Sequence, residues 1–453
     1  MTRAASILGQ KSVVLIFAYA PAGLGHLRVT DALYSGLPET VQPLLMGSHD
    51  RNIMWLHRIF SIHPLLRNLF EWVQYNPQQY IFTFLYYWLT RMQSDLMYEQ
   101  LNTILDQRLE TPQQIVIVAT HFTLAHQIGI VKRKIEQERK VQVILAVQVT
   151  DDSPQFMWYV PEADLTFVPS SYTKRELEKY GEWVGHPAGN FVVNAYPISP
   201  ILAERLDHGE FFEKSHQIDP KAKSQIHVSI PVSGAAVGLH YATRMIDTLH
   251  RASHRFMFHV VTRSAPYTLG FLNEMIQRPY VKLYVSAQDR DVVNAYEHVY
   301  RKYLVSIEIT KPSEQAFKTL LYPEHRGGSI LLFSEPVGRQ EYDNISFMRR
   351  HGLIPSEARQ ERLFDHSTLR KALSPGHEIR EEARNWRGTA LPEDPEAAGR
   401  YVWWCIQNGI FESMMQFRPR KNRKPAEQIE LSPHGVREFW EKIADYLNRS
   451  DTV

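Results

Sequence analysis

The sequence predicts an α/β protein with two doubly wound, Rossmann-like domains, and three observations lead to this fold class. Short apolar runs rich in β-branched residues alternate with helical patterns, as they do where helices cover both faces of a parallel sheet. The alternation occurs in two successive series. The chain has 453 residues, which is more than a single hydrophobic core usually serves.

The predicted strands form two series of five. The first series lies at residues 13–19, 115–119, 143–149, 165–169 and 191–193. The second series lies at residues 226–231, 256–262, 281–286, 304–309 and 329–333. A charged stretch that opens with two prolines, residues 197–223, predicts a linker between the two series. These patterns place the first domain at residues 1–205 and the second at residues 206–375.

Residues 376–453 show no further strand pattern and predict a helical C-terminal extension that packs back on the domains. A basic loop, residues 418–424, separates two of its helical segments. The only cysteine, Cys405, lies in an apolar run, which is typical of a core position. A lone cysteine excludes internal disulfides and multi-cysteine metal sites, and it favours a reducing compartment such as the cytoplasm.

The overall composition excludes several classes of function. Hydrophobic residues make up 44% of the chain and charged residues 22%, which is typical of a globular protein. The formal net charge of +2 gives no electrostatic reason to expect a nucleic-acid partner. No stretch approaches the roughly 20 consecutive apolar residues that span a bilayer, and the first residues lack a secretory pattern. We therefore expect a cytoplasmic protein.

The first predicted strand leads into a glycine-bearing turn that suits an anionic ligand. The run that starts at Val13 breaks at Pro21, passes Gly23 and Gly25, and enters a helical pattern near His26. Glycines allow a sharp turn and leave the helix N-terminus accessible, where unpaired N–H groups attract phosphate or carboxylate. His26 is a candidate proton acceptor, because imidazole titrates near neutrality.

The second domain opens in the same way, with small residues between a strand and an amphipathic helix. Such residues allow a diphosphate to approach the start of the helix closely. They are Ser233, Gly234, Ala235, Ala236 and Gly238. Ligands of doubly wound sheets bind at the carboxyl ends of the strands, so we expect a ligand site in a cleft between the domains. Neither loop has the G-x-G-x-x-G spacing of a dinucleotide site, and no nicotinamide cofactor is predicted.

Polar residues follow a later strand of the second series. They are Lys311, Ser313 and Glu314. A carboxylate at this place could accept both hydroxyl groups of a ribose, while a serine and backbone amides could bind phosphate. The alternative for Glu314 is the first turn of a proline-initiated helix, where the helix dipole favours an acid.

A second polar group follows the last strand of the series. It comprises Gln340, Glu341 and Asn344, which are predicted to lie on a loop. Sugar hydroxyls need both donors and acceptors, and amide and carboxylate side chains together supply them. These residues are therefore candidates for binding the sugar of a nucleotide-sugar donor, with solvated loop residues as the alternative.

Taken in order, these motifs resemble those of a known enzyme family. The matching residues are Gly23, Gly25, His26, Thr120, His121, Phe122, Val149, Thr150, Asp151, Trp158, Val168, Pro169, Ser170, Thr310, Lys311, Pro312, Gln340, Glu341 and Asn344. In type, order and spacing they look like the GT-B glycosyltransferases of the monogalactosyldiacylglycerol synthase and processive diacylglycerol glucosyltransferase group. The resemblance runs from about Val13 to Leu353.

The resemblance implies two facing domains and an inverting transfer of a sugar from a nucleotide diphosphate sugar, a UDP-sugar by preference, to a lipid hydroxyl. It places the donor in the second domain and the acceptor in the first, with no metal and no cofactor beyond the nucleotide sugar. His26 and Asp151 match the candidates for the base and its partner. The implied acceptor-side residues are Gly23, Gly25, His121, Gln155 and Trp158.

Two departures from the family pattern keep other functions open. Gln155 stands where relatives carry a histidine, and glutamine cannot act as a base. Thr319 stands where relatives carry a glutamate for the donor ribose, a role that Glu314 could take over. The alternatives are a nucleotide-sugar 2-epimerase of the same architecture and a degenerate, non-catalytic GT-B protein that binds a nucleotide sugar.

The segment from Trp55 to Met92 predicts contact with a membrane surface. It combines many aromatic residues with arginines at helical spacing, which suits an interfacial helix that meets anionic headgroups. Relatives hold their acceptor-binding helices at this place in the chain. The prediction is a cytoplasmic protein that lies peripherally on the inner face of the cell membrane, and the alternative is a buried helical pair.

Overall fold

The chain forms two compact units. The computed structural model describes residues 6–10, 12–19, 24–47, 79–80, 83, 86–87, 90, 94–108, 110–186, 189–232, 234, 236–420 and 423–450. Unit 1 comprises Met1–Pro200 and Pro425–Val453, and unit 2 comprises Ile201–Lys424.

The described part of unit 1 is built on a parallel sheet of six strands in the order β2-β1-β3-β4-β5-β6. The strands are β1 Val13–Tyr19, β2 Leu44–Gly47, β3 Gln114–Ala119, β4 Gln142–Gln148, β5 Leu165–Val168 and β6 Phe191–Val193. The helices between them are α1 Leu24–Ser35, α2 Asp95–Asp106, α3 Phe122–Arg139 and α4 Ser171–Trp183, with a 3₁₀ helix at Phe156–Trp158.

Unit 2 has a second parallel sheet of six described strands, in the order β12-β11-β10-β7-β8-β9. The strands are β7 Ile226–Pro231, β8 Phe256–Arg263, β9 Val281–Ser286, β10 Ile307–Thr310, β11 Ile330–Phe333 and β12 Gly388–Ala390. The helices are α5 His208–His216, α6 Leu239–Ala252, α7 Leu269–Met275, α8 Asp289–Lys302, α9 Arg339–Arg350, α10 Glu357–Thr368, α11 Glu378–Ala383, α12 Pro395–Gln407 and α13 Ile410–Met415, with a 3₁₀ helix at Glu314–Leu320.

Two C-terminal helices, α14 Pro425–Glu430 and α15 Gly435–Ser450, return to unit 1. The ring of Phe439 on α15 packs on Phe167 of β5, with the centroids 4.3 Å apart. The indole Nε1 of Trp440 donates a hydrogen bond to the carbonyl oxygen of Leu33, 3.0 Å away. Helix α15 therefore covers a face of the unit 1 sheet that the earlier helices leave open.

The two predicted strand series are confirmed. They could be recognised in the sequence because a parallel strand covered on both faces is apolar along its whole length. In β3 every residue is buried, and in β4 all but the first are. The short strands β2 and β12 were not predicted. Gly388 of β12 lies so close to β11 that a Cβ atom there would stand 2.7 Å from the carbonyl oxygen of Leu331. The expectation that no strand follows residue 375 is therefore wrong.

The segment boundaries also differ from those that the sequence predicts. The predicted linker at residues 197–223 contains helix α5, which Asp207 and Glu210 cap reciprocally. The predicted extension, residues 376–453, is divided: residues up to 424 join unit 2 and the rest join unit 1. The physical reason is burial, since Tyr401 and Cys405 of α12 lie in the core of unit 2, whereas Trp440 lies in that of unit 1.

Candidate functional site

The first candidate site lies at the start of α1, beyond the carboxyl end of β1. Helix α1 begins at Leu24, so Gly25 and His26 lie in its first turn, while Gly23 lies outside the described residues. The Nδ1 atom of half-buried His26 lies 2.7 Å from the carbonyl oxygen of Thr120 at the end of β3. A carbonyl oxygen only accepts hydrogen bonds, so Nδ1 carries the proton and Nε2 carries the lone pair.

Asp151 is brought to the same place as His26. The Oγ1 atom of Thr150 lies 3.4 Å from Nδ1 of His26 and 3.4 Å from Oδ2 of Asp151. Thr120 and Thr150 follow the neighbouring strands β3 and β4, which explains how residues far apart in sequence meet at one sheet edge. The backbone carbonyl of Thr120 is therefore a close partner of His26, and the Thr150 hydroxyl connects the ring to the Asp151 carboxylate.

The adjacent acid, Asp152, has a different role. It is completely buried and accepts hydrogen bonds from the hydroxyls of Ser170 and Thr173, the latter at 2.7 Å. Ser170 is the N-cap of α4. Asp152 thus fixes the start of α4, while Asp151 is half-buried at the edge of the sheet.

Two of the predicted acceptor-side residues surround the His26 ring. The His121 ring lies 4.8 Å from it and the Trp158 ring 6.3 Å, measured between centroids. His121 is the N-cap of α3, since its Nδ1 atom accepts a hydrogen bond from the Thr123 amide. This bond requires an unprotonated Nδ1, so the two neighbouring imidazoles present opposite tautomers.

Gln155 lies at the start of the 3₁₀ helix that carries Trp158, and it is 2% exposed. Its backbone carbonyl accepts a hydrogen bond from the Trp158 amide, 2.9 Å away. Its side-chain Nε2 atom is buried and has no hydrogen-bond partner among the residues that the structure describes. A buried amide without a partner is costly, and this one is available as a donor to a ligand oxygen.

The sequence named Thr120 only as part of the family motif, and it revealed neither Thr30 nor the support that the two residues give to His26. Thr30, one turn further along α1, donates a hydrogen bond to the His26 carbonyl oxygen at 2.9 Å. Its hydroxyl also lies 2.8 Å from the hydroxyl of Thr120. Threonine is common in both helices and strands, and only the tertiary structure distinguishes these two from the others. The signal available in the sequence was the position of Thr120 at the end of a buried strand.

The second candidate site is the loop after β7 in unit 2. Ser233 and Ala235 lie outside the described residues, whereas Gly234, Ala236 and Gly238 are described. Ala236 has φ +53° and Gly238 has φ +85°, so the loop twice enters the left-handed region before α6 begins. No side chain caps α6, and a Cβ atom built at Gly238 would meet nothing within 4 Å. The first amides of α6 are thus suited to an anion.

Lys311, Ser313 and Glu314 lie at the same sheet edge, after β10. Ser313 precedes the 3₁₀ helix without capping it, and Glu314 lies in the first turn. The Lys311 Nζ atom lies 3.8 Å from Oε2 of Glu341. Thr319, at the position where relatives carry a glutamate, is buried and donates its hydroxyl to the Ala316 carbonyl at 2.7 Å. The hydroxyl of Thr319 therefore stabilises the 3₁₀ helix in which it lies.

Gln340, Glu341 and Asn344 lie on helix α9, so the prediction that they lie on a loop is wrong. Gly338 at φ +88° turns the chain directly from β11 into the helix. Glu341 accepts a hydrogen bond from the Val337 amide at 2.6 Å. Asn344 is buried, and its amide donates to the Pro312 carbonyl at 3.1 Å. Asn344 therefore holds the segment that carries Lys311 and Ser313 against α9.

A buried ionic cluster lies next to the segment that carries Lys311 and Ser313, and the sequence did not predict it. The Lys318 Nζ atom lies 2.8 Å from Oε2 of Glu308 on β10, and the side chains are 3% and 0% exposed. The hydroxyls of Tyr296 and Tyr300 on α8 donate to the same carboxylate oxygen. Burial raises the pKa of Tyr300 well above its usual value. A single acid inside an otherwise apolar strand was the available sequence signal.

Two further findings concern the described residues alone. No three His, Cys, Asp or Glu side chains among them converge in a way that could hold a metal ion. None of the described helices is long and apolar enough to cross a membrane. Most of the segment from Trp55 to Met92, for which membrane contact is predicted, lies outside the described residues.

Comparison with known proteins gives one family match. Residues 57–182 match the model of the monogalactosyldiacylglycerol (MGDG) synthase family. The matched segment contains His121, Thr150, Asp151, Gln155 and Trp158 of the first candidate site. No curated protein matches the chain in sequence.

Several solved structures align with most of the chain at low identity. UDP-GlcNAc 2-epimerase from Neisseria meningitidis, bound to UDP-GlcNAc, is 11% identical, with 96% of this chain and 99% of that one covered and a TM-score of 0.49. The S. aureus MnaA–UDP structure is 10% identical, with 96% of each chain covered and a TM-score of 0.46. Arabidopsis thaliana UGT89C1, complexed with UDP-L-rhamnose, is 13% identical, with 96% and 98% covered and a TM-score of 0.45. These distant likenesses assign no activity.

The family match and the fold together say what the chain is similar to. Each unit is built on a doubly wound parallel sheet in the part that the structure describes. The family match covers residues of unit 1 that lie close to His26, among them His121 and Trp158. In this segment the chain resembles the MGDG synthase family.

Proposed function

We propose that the protein transfers a sugar from a nucleotide diphosphate sugar, with UDP as the nucleotide, to the hydroxyl group of a lipid, with inversion at the anomeric carbon. The observation that carries the proposal is the hydrogen bond from Nδ1 of His26 to the Thr120 carbonyl. This bond holds the imidazole in the one tautomer whose Nε2 can accept a proton. The acceptor of this bond, Thr120, lies in the segment that matches the MGDG synthase family.

The proposed step needs one base and no covalent intermediate. The acceptor oxygen forms a bond to the anomeric carbon, and the bond from that carbon to the diphosphate oxygen breaks. The electron pair leaves with the diphosphate, and the hydroxyl proton passes to Nε2 of His26. Asp151, connected to the ring through Thr150, favours the imidazolium that forms. Attack opposite the leaving group inverts the configuration.

We assign the nucleotide-sugar donor to unit 2. The uncapped start of α6, with Gly234 and Ala236 before it, is suited to the diphosphate. Lys311, Ser313 and Glu314 are assigned to the phosphate and the ribose, and Gln340 with Glu341 to the sugar. Asn344 supports this group through Pro312. The diphosphate is thus neutralised by side chains and helix amides, without a metal ion.

We assign a lipid acceptor and peripheral contact with the membrane to unit 1. Helix α4 ends in Trp183, whose side chain is 65% exposed. The ring of Tyr80 lies 4.2 Å from it and 4.9 Å from Phe156, and Phe156 stacks on Tyr180 at 4.1 Å. Clustered aromatic rings at a surface suit the boundary between water and lipid headgroups. Tyr80 belongs to the segment from Trp55 to Met92.

The test is a transfer assay with the full chain and vesicles that contain diacylglycerol. UDP-glucose, UDP-galactose and UDP-N-acetylglucosamine are offered in turn, and the anomeric configuration of the product is read by NMR. We expect a glycolipid of inverted configuration from one of these donors. For His26→Ala we expect a loss of about 100-fold or more in turnover, with UDP binding retained. His186→Ala, which changes an exposed histidine of unit 1, is the matched control.

A nucleotide-sugar-binding protein without transferase activity is the second candidate, and Gln155 is the observation that favours it. An amide stands where relatives carry a histidine, in the cluster beside Trp158. UDP binding without transfer to any vesicle and without hydrolysis of the donor would establish this function instead. Conversion of UDP-N-acetylglucosamine to its C2 epimer without an acceptor would establish an epimerase.

A further inference from the structure

One arginine at the donor edge of unit 2 has no assigned role. Arg263 is the last residue of β8, the strand that pairs with β7, and Pro231 of β7 is in register with Val261 of β8. In a parallel sheet the carboxyl ends of neighbouring strands lie at one edge. Arg263 therefore ends beside the loop that starts after Pro231.

A side-chain contact joins the two loops directly. The hydroxyl of Tyr267, four residues beyond Arg263, donates a hydrogen bond to the carbonyl oxygen of Gly234 at 3.0 Å. The hydroxyl of Thr268 donates to the Arg263 carbonyl at 2.9 Å, which holds the Tyr267 loop against the end of β8. The segment from Arg263 to Thr268 thus lies directly beside the loop of Gly234 and Ala236.

The guanidinium of Arg263 is only loosely engaged. Its described contact is with Asp289 at the start of α8, where Nη1 lies 3.3 Å from Oδ1 and 3.5 Å from Oδ2. Charge-assisted pairs of good geometry are shorter, at about 2.7–2.9 Å. The Nε atom is buried and has no partner in the described part of the chain, and the side chain as a whole is 33% exposed. The group therefore retains donors for an anion.

The loop itself lacks a cation. From Pro231 to Thr243 the sequence contains no lysine or arginine, although a diphosphate carries two or more negative charges. Lys311 follows β10, which neighbours β7 on one side, and its Nζ atom lies 3.8 Å from Oε2 of Glu341. Arg263 ends β8, which neighbours β7 on the other side.

We propose that Arg263 binds the diphosphate of a nucleoside diphosphate or nucleotide sugar seated on the loop of Gly234 and Ala236, exchanging its contact with Asp289 for the phosphate oxygens. The inference rests on the proposed donor site. It makes Arg263 the residue that distinguishes a diphosphate from a monophosphate, and Asp289 the residue that holds the guanidinium when no ligand is bound.

The test is calorimetric titration of the full chain with UDP, UMP and uridine. For Arg263→Gln we expect UDP affinity to fall by about tenfold or more, while UMP and uridine affinities change less than about threefold. Arg263→Lys, which keeps the charge and loses the planar fork, should give an intermediate loss. Arg278→Gln is the matched control, because Arg278 pairs bidentately with Asp247 ahead of the amino end of β9 and should leave UDP affinity unchanged.

A second variant keeps the arginine and should change UDP affinity in the opposite direction. Asp289→Asn abolishes the charge that competes for the guanidinium, so UDP affinity should rise by about threefold. Thermal unfolding of each free variant shows whether it is folded. Equal UDP affinity in wild type and Arg263→Gln, or an equal loss for UDP and UMP, would overturn the role of Arg263 while leaving the donor site intact. No binding of UDP by wild type would overturn both proposals.

Discussion

The hydroxyls of Thr30 and Thr120 lie 2.8 Å apart, 90 residues apart in sequence, and together they fix the position of His26. Thr120 accepts the ring proton of His26 at its carbonyl, and Thr30 bonds to the carbonyl of His26 itself. The ring and the backbone of the candidate base are therefore held by the same pair of residues. Such an arrangement sets the direction in which Nε2 points.

The first prediction concerns this pair. Thr30→Val keeps the shape of the side chain and removes both hydrogen bonds, so the His26 ring should be less well aligned. We expect turnover of glycosyl transfer to fall by about tenfold, with UDP affinity unchanged because the proposed donor site lies in unit 2. The control is Thr103→Val on α2, which removes the same kind of bond to the carbonyl four residues earlier, far from His26 in the sequence. Equal effects of the two substitutions on turnover would contradict the positioning role of Thr30.

The second prediction concerns the neighbouring acids Asp151 and Asp152. Asp152→Asn disturbs the buried bonds to Ser170 and Thr173, so it should lower the free energy of unfolding by about 1–3 kcal/mol. Asp151→Asn should leave stability almost unchanged and lower turnover, because it removes the charge that favours imidazolium. Urea unfolding and the transfer assay, measured on both variants, separate the two roles. A stability loss confined to Asp151→Asn would reverse the assignment.

The third prediction concerns the buried pair of Glu308 and Lys318. Lys318→Met leaves the Glu308 carboxylate buried without a counter-charge and should cost about 3–5 kcal/mol of stability in urea unfolding. The double variant with Glu308→Gln should recover a large part of this loss, because neither charge of the pair remains. If the two single effects simply add, the carboxylate and the ammonium do not interact in the way that their 2.8 Å separation indicates.

The fourth prediction concerns pH. His227 on β7 and His259 on β8 share a hydrogen bond of 3.0 Å between Nδ1 and Nε2. Burial lowers the pKa of His227 to about 4 and that of His259 to about 3, from an ordinary value of 6.5. The unfolded chain therefore binds more protons than the folded chain once the pH falls below 6.5. The stability that these residues contribute is complete above pH 6.5 and is lost as the pH falls toward 4.

The measurement is the free energy of unfolding at pH 7.0, 5.5 and 4.5. Each unit by which a pKa is lowered in the folded state corresponds to about 1.4 kcal/mol at the acid end of the range. His259→Gln should be less stable than wild type at pH 7, but its stability should fall less steeply toward pH 4.5. His216→Gln, at a histidine that stacks on Phe212 on the surface of α5, controls for the loss of a histidine as such. Parallel curves for wild type and His259→Gln would exclude this source of acid sensitivity.

The fifth prediction concerns the exposed aromatic cluster of unit 1. Trp183→Ala should weaken binding to anionic vesicles by about tenfold in sedimentation assays, since an indole ring favours the headgroup region. Leu369→Ala is the matched control, because Leu369 is a 76% exposed apolar residue of unit 2. Unchanged vesicle binding by Trp183→Ala would remove α4 from the membrane contact, and an equal effect of Leu369→Ala would show that the assay responds to exposed apolar area in general.

Strands that are buried on both faces could be predicted from the sequence, whereas the short edge strands β2 and β12 could not. The predicted run at residues 115–119 of β3 is apolar throughout, and every residue of it is buried. The edge strand β12 has three residues, and one of them is a glycine that lies close to β11. Strand β12 lacks a continuous apolar run, and its pairing depends on a partner that lies 57 residues earlier, since Leu331 pairs with Gly388.

The candidate site divides in the same way. The sequence by itself determined the types of chemical group, from His26 and Asp151 to the small residues after β7, because a glycine-bearing turn between a strand and a helix is a local pattern. Only the tertiary structure decided the partners: the Thr120 carbonyl for His26, the Pro312 carbonyl for Asn344, and α9 for residues that were expected on a loop. The physical reason is that a hydrogen bond depends on which strand ends lie side by side, and strand order is a property of the packed sheet.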